Sequence, residues 1–225
     1  MRSPIITRDL SLSSRRGRVY GPLTMEIDSP VTVLCGPAGS GRTCLLLTLA
    51  GRMKPSSGEA TVLGHSLPQQ ARAVQKKTSI SGFTGIDTLE ESVSVADAIR
   101  ERAAWLAPWW KIVKPMTESD VRQVCAPLFG DVPIPAADTI IWDLSEVQTI
   151  LLRAALAMMS SPRILFVDQI EQVQSPDARA ELWDSLARLG DQGTTIVASA
   201  TAPDTELWQQ LGIEPTVITM NQERR

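Results

Sequence analysis

Residues 36–43 read GPAGSGRT, one substitution away from the phosphate-binding loop pattern G-x-x-x-x-G-K-[ST], with Arg42 at the lysine position. Gly36, Gly39 and Gly41 let a backbone curl until successive N–H groups point inward, which is the arrangement a polyphosphate needs. Pro37, Ala38 and Ser40 complete the turn, Thr43 offers a hydroxyl to Mg²⁺, and Cys44 follows it. Such chemistry also requires an acid at the tip of a neighbouring buried strand. RILFVD (163–168) ends in one, Asp168, so Thr43 and Asp168 form a candidate metal pair. Three readings open from these residues: a nucleotide site with a changed cation, a site that has lost its chemistry, or a chance glycine turn.

The elements around the loop decide against chance. VTVLC (31–35) is a short apolar run ending at glycine, as a buried strand should. GRTCLLLTLAGRM (41–53) continues as a helix, with Leu45, Leu46 and Leu49 on one face and Gly51 near its end. A glycine turn between a strand and a helix N-terminus is a ready anion site. Further on, EATVLG (59–64) reads as a strand, and 88–130 as helical but irregular. A helix is expected from Ser145 to about Ser160, and RILFVD as a buried strand. SPDARAELWDSLARLG reads as a helix and TTIVAS (194–199) as a strand. Strands alternating with helices predict a mostly parallel sheet covered on both faces.

Composition narrows the setting. A chain of 225 residues, 43% hydrophobic, suffices for one α/β domain with a small inserted subdomain. Its formal charge of −3 gives no global basic surface, which argues against nucleic acid as a partner. RRGR (15–18) is the one dense basic cluster and reads as a solvated turn. Three cysteines without metal-like spacing suit a reducing compartment, with Cys35 and Cys44 packing as small hydrophobes. The N-terminus lacks a signal-peptide core, and no apolar run reaches bilayer length. The expected location is therefore the cytoplasm, or the inner face of a membrane through a partner.

The sequence resembles the ATP-binding cassette (ABC) subunit of transporters along nearly its whole length. GPAGSGRTCLLLTLAGRMKPSSGEATVLG is similar to that family's Walker A segment, LSEVQ (144–148) stands at its LSGGQ signature, RILFVDQ at Walker B, and GTTIVASAT at its switch strand. The resemblance implies a P-loop NTPase of ABC type over residues 1–225. It has a mostly parallel core sheet, an antiparallel N-terminal sheet and a helical subdomain at about 85–150. It implies ATP and Mg²⁺ as cofactors, the loop residues 36–44 with Ser145 and Gln148 as nucleotide contacts, and Thr43 and Asp168 as metal ligands. A transmembrane permease is implied as partner, and a homodimer or a heterodimer with another cassette.

Departures from that pattern bear on activity. Arg42 keeps a charge but donates from a larger planar fork than lysine. Gln169 stands at the family's catalytic glutamate, and an amide positions water without taking its proton. Glu171, two residues on, could replace it only if the geometry were rebuilt. Thr201 stands at the switch histidine. The glutamine expected near Gly85 is missing, and the adenine-stacking aromatic would fall near Ser14, with Tyr20 the nearest aromatic. In the signature, Glu146 and Val147 replace two glycines, while Ser145 and Gln148 also read as a simple helix capping box. Weak hydrolysis is the expectation. His65 reads as a turn residue. Trp105, Trp109 and Trp110 fit either packing within the helical subdomain or an exposed patch that receives the membrane partner.

Overall fold

The structure, a computed structural model, describes residues 4–220. In chain order it runs β1 (Ile5–Ser14), β2 (Gly17–Ile27), β3 (Val31–Cys35), α1 (Arg42–Leu49), β4 (Ser57–Val62), β5 (His65–Leu67), α2 (Ala71–Gln75) and β6 (Thr78–Ser81). There follow α3 (Val95–Leu106), α4 (Glu118–Phe129), α5 (Glu146–Met158), β7 (Ile164–Val167), α6 (Pro176–Asp191), β8 (Thr195–Ala200), α7 (Thr205–Leu211) and β9 (Thr216–Thr219).

Two sheets form. One has five parallel strands in the order β6-β7-β8-β3-β9; the other is antiparallel, in the order β2-β1-β4-β5. The central strands β3, β7 and β8 are largely apolar because both faces are covered, and β7 is buried at every position. On one face lies α1, whose Leu45, Leu46 and Leu49 are fully buried in a core shared with Ile5 and Leu10 of β1 and Phe166 of β7. Each such leucine contributes about 1.5–3 kcal/mol over an exposed one. On the other face α5, α6 and the bundle of α3 and α4 close a second core around Phe129, Leu152, Leu165 and Trp183. The phosphate loop thus leaves the C-terminal end of β3, inside the sheet, where parallel α/β proteins place ligands.

The boundaries differ from the sequence reading in instructive places. The first helix stops at Leu49 rather than near residue 53, because Gly51 takes a left-handed φ of 70° and turns the chain. His65 opens β5 instead of sitting in the turn before it, and its Nε2 lies 3.0 Å from Lys77 Nζ. The short strands β6 and β9 carry polar residues and escape periodicity, as does α7. RRGR does form an exposed hairpin turn between β1 and β2.

The packed reading of the three tryptophans is overturned. Trp105, Trp109 and Trp110 are 78%, 92% and 70% exposed. The helical layer already fills its interior with Val95, Ile99, Val121 and Cys125, and α3 ends at Leu106, just before Pro108. The segment that follows runs outside the core as an irregular loop.

Gly41 joins the two halves of this architecture. Its φ is 85°, and a Cβ there would lie 2.4 Å from Val19 O and 2.9 Å from Tyr20 Cβ, both on β2. Gly64 has a similar φ of 79° with nothing within 4 Å. Gly64→Ala should therefore cost only the left-handed backbone penalty, about 1 kcal/mol. Gly41→Ala should cost about 3 kcal/mol, because β2 must also move. Chemical denaturation of both variants checks this, and equal costs would show that the loop does not depend on β2.

Candidate nucleotide site

Backbone bonds hold the loop 36–41: Gly36 N–H donates to Ala200 O at the end of β8 at 3.2 Å, and Ser40 N–H to Pro37 O within the loop at 3.1 Å. Gly39 and Gly41 both take positive φ, at 81° and 85°, which turns the chain into the first turn of α1. Leu45 N–H donates to Gly41 O at 2.9 Å, the first bond of the helix ladder. The amides of the turn before it, Arg42 to Cys44, belong to the N-terminal set that a helix leaves for caps or anions. The helix has no side-chain cap and no acid in its first turn, so its positive end is not neutralised locally. Pro37, Ala38 and Gly39 are exposed, whereas Ser40 is buried and its Oγ has no hydrogen-bond partner.

β7 delivers the acid. Asp168 directly follows it and is fully buried. Thr43 Oγ1 donates to Asp168 Oδ2 at 2.6 Å, which joins residues 125 apart in sequence. Ser199, at the end of β8, donates to Asp168 Oδ1 and accepts from Gln169 N–H at 2.9 Å. Gln169 has φ 55°, a left-handed value uncommon outside glycine. Its side chain is half-buried at the same end of the sheet, and Thr201, which follows β8, is exposed.

Arg42 is buried. Its Nη2 donates to Glu171 Oε1 at 2.9 Å, an ion pair spanning 129 residues. Gln172 Nε2 donates to Gly82 O at 3.2 Å and to Asp168 O at 3.1 Å. Where a glutamine was expected near Gly85, the structure has instead Asp87, which accepts from Gly82 N–H and from Arg153 Nη2, each at 2.8 Å.

The residues of LSEVQ lie apart from this cluster and serve helix α5 and its neighbours. Ser145 Oγ accepts from Gln148 N–H at 3.3 Å, and Gln148 Oε1 accepts from Ser145 N–H at 3.0 Å, a complete capping box. Gln148 Nε2 also donates to Pro133 O at 2.9 Å. Glu146 accepts from Gln174 N–H at 2.8 Å and Ser175 N–H at 3.3 Å. Asp131, Glu146, Asp177 and Glu181 line the surrounding concavity, so this surface is acidic.

Tyr20 offers no stacking face. It is buried beneath the loop, its hydroxyl donates to Thr48 Oγ1 at 2.8 Å, and burial pushes its pKa up to about 12. Burial likewise raises the thiols of Cys35 and Cys44, and for Cys44 the Asp168 charge adds to the effect. Both are free, uncharged thiols that pack as small hydrophobes. Sequence reasoning missed Ser199, Gln172 and the use of Glu171. The one sequence signal for Ser199 was a polar residue at the end of an apolar strand.

Comparison with known proteins agrees with this geometry. A family model described as "ABC transporter" matches residues 23–171, well over half of the chain. The Nod factor export ATP-binding protein I of Rhizobium johnstonii is 28% identical over 195 residues, 86% of this chain and 55% of that protein. The daunorubicin/doxorubicin resistance ATP-binding protein DrrA of Streptomyces peucetius is 27% identical over 201 residues, 84% of this chain and 51% of that protein. The chain thus spans about half the length of these curated relatives. Among solved structures, the ADP conformation of an ATP-binding cassette of an ABC transporter has a TM-score of 0.75 at 14% identity, covering 98% of this chain and 88% of that one. A dimeric bacterial ABC transporter cassette gives 0.73 at 16% identity, covering 98% and 97%. With the phosphate loop, the acid-tipped strand and the two-sheet fold in place, these matches make this chain a member of the ABC transporter family.

Proposed function

We propose that the chain binds ATP–Mg²⁺ and couples that binding to a membrane-spanning permease, with hydrolysis weak or slow. The observation that carries this reading is the contact between Thr43 Oγ1 and Asp168 Oδ2 at 2.6 Å, at the mouth of the phosphate loop. A hydroxyl and a carboxylate side by side are the hard oxygen donors that Mg²⁺ prefers, so the residues present fit the metal. Among the described residues there is no cluster of three or more His, Cys, Asp or Glu, which suits an ion held mainly by substrate phosphates and water. Thr43 and Asp168 would hold it, and the ion would neutralise phosphate charge. Gly36 to Cys44 would cradle the phosphates through backbone amides, and Arg42 would add its guanidinium.

Weak turnover follows from what surrounds that centre. Gln169 can orient a water but has no basic oxygen to take its proton. Thr201 is exposed and carries no imidazole. In a head-to-tail dimer, Ser145 and Gln148 would face the triphosphate of the other subunit. Their side chains are engaged in the capping box, and the acids around them would repel a polyanion. A homodimer would hold two such sites, and a heterodimer would still draw half of each site from this chain. The same observations favour a second reading, an idle nucleotide-binding subunit that regulates or stabilises its membrane partner.

The permease has a candidate seat. No helix among the described residues is long and apolar enough to cross a membrane. A cleft of about 410 Å³ opens between the parallel sheet and the helical layer, lined by Arg52, Ile86, Leu89, Glu101, Trp105 and Arg153. Trp109 and Trp110, in T-shaped contact at 5.7 Å, lie on the loop after α3, which carries Trp105 in its last turn. Exposed tryptophans grouped this way are typical anchors of protein interfaces. This seat supports a location at the inner face of a membrane, through the partner.

Two measurements check the reading. Phosphate release by the chain with its membrane partner should stay below about 1 s⁻¹, the low end for phosphoryl-transfer enzymes. Turnover of several per second that Asp168→Asn abolishes would refute weak hydrolysis. Separately, the tagged chain isolated from solubilised native membranes should bring down a multi-span membrane protein. Trp109→Ser with Trp110→Ser should abolish this while changing stability by no more than about 0.5 kcal/mol, as for other exposed positions. Full recovery of the partner by the double variant would remove the tryptophans from the docking surface.

A further inference from the structure

Arg42, which departs from the family pattern, and Glu171, two residues beyond Gln169, meet. Arg42 is 8% exposed and Glu171 30%. One arm of the guanidinium donates to one carboxylate oxygen at 2.9 Å. The other arm, Nη1, and the other oxygen, Oε2, are both buried without a hydrogen-bond partner. Buried polar atoms in that condition are destabilising, and native structures leave few of them. These two have opposite needs. Nη1 requires an acceptor, which a phosphate oxygen supplies. An ionised carboxylate only accepts, so Oε2 requires a donor, and a fully ionised, metal-free polyphosphate brings none. Water held by Mg²⁺ is a strong donor, so the magnesium complex of a triphosphate carries both partners.

Charge selects in the same direction. Glu171 adds a second carboxylate, bonded to Arg42 as Asp168 is to Thr43, next to a loop whose one side-chain cation is Arg42. Magnesium cancels about half of a triphosphate's charge, so the repulsion from Glu171 falls mainly on the metal-free anion. The planar fork also explains arginine at this position. A lysine ammonium is a point charge, whereas a guanidinium can hold the carboxylate on one arm and a phosphate on the other.

We propose that Glu171 is a specificity-determining residue of the nucleotide site, holding Arg42 and making the site accept a triphosphate as its magnesium complex while rejecting the metal-free anion. This deepens the nucleotide-binding reading above and rests on it.

The test is calorimetric titration of ATP into the full chain, once in Mg²⁺ and once in EDTA, with thermal unfolding followed in parallel. Wild type should bind the magnesium complex at least about tenfold more tightly than free ATP. Glu171→Gln should tighten binding of free ATP about tenfold and change binding of the magnesium complex less than about threefold. Glu171→Asp, which keeps the charge, should keep the preference. If Glu171→Gln unfolds, the double change Arg42→Met with Glu171→Met leaves no buried charge unpaired and must likewise lose the preference. A preference that survives Glu171→Gln, or that survives the double change, overturns the proposal while leaving nucleotide binding intact. Folded wild type that binds neither form overturns the nucleotide reading and this proposal together.

Discussion

The bond between Thr43 and Asp168 closes the site because two independent pieces of packing bring its ends together. Thr43 is fixed by α1, and α1 is fixed by three leucines buried between the two sheets. Asp168 is fixed by β7, which pairs with β6 and β8 and is covered on both faces. A fully buried carboxylate is tolerated only when its oxygens are bonded, and here Thr43 and Ser199 take one each. The arrangement is formed without any ligand. That matters for phosphate binding, since preorganised donors do not have to be ordered at the moment of binding.

From Asp168 onward the chain is held at short intervals. Gln169 N–H is bonded to Ser199, Glu171 to Arg42, Gln172 to Gly82, and the amides of Gln174 and Ser175 to Glu146. The strap 169–175 thus touches the phosphate loop, the turn after β6 and the start of α5 within seven residues. Two of these ties use side chains that the family pattern lacks, Arg42 and Glu146. The substitutions are therefore not merely losses. Glutamate at 146 replaces a flexible glycine with a clamp, and arginine at 42 gives the strap a charged anchor. Such a strap favours a held geometry over one that must rearrange during turnover, which supports the slow hydrolysis proposed above.

The core architecture was legible in the sequence wherever burial is continuous. VTVLC, RILFVD and TTIVAS are apolar runs because these parallel strands are covered on both faces, and the glycine loop between strand and helix is the sequence's signal for a phosphate site. What stayed hidden depends on contacts between distant residues. Nothing near Glu171 signals that Arg42, 129 positions away, will reach it. The tryptophans after α3 carried the opposite difficulty: their hydrophobicity argues for burial, and only the completed packing of Val95, Ile99, Val121 and Cys125 shows that no room is left. Ser145 and Gln148 were ambiguous for a physical reason. A capping box and a phosphate-contacting signature use the same atoms, and both open a helix.

That ambiguity has a structural consequence. A serine whose oxygen caps its own helix can still present its hydroxyl proton outward, since capping uses only the lone pair. Gln148 is more committed, with its oxygen on Ser145 N–H and its amide on Pro133 O. Any phosphate brought to this surface by another subunit would meet one hydroxyl donor among four carboxylates: Asp131, Glu146, Asp177 and Glu181. One neutral donor does not offset that field at short range. Under the proposed function, a nucleotide held at the phosphate loop would be stabilised mainly by the chain that binds it, and the opposing surface would contribute little. Coupling to a membrane partner would then run through occupancy of the loop and the strap beside it, more than through closure of a shared site.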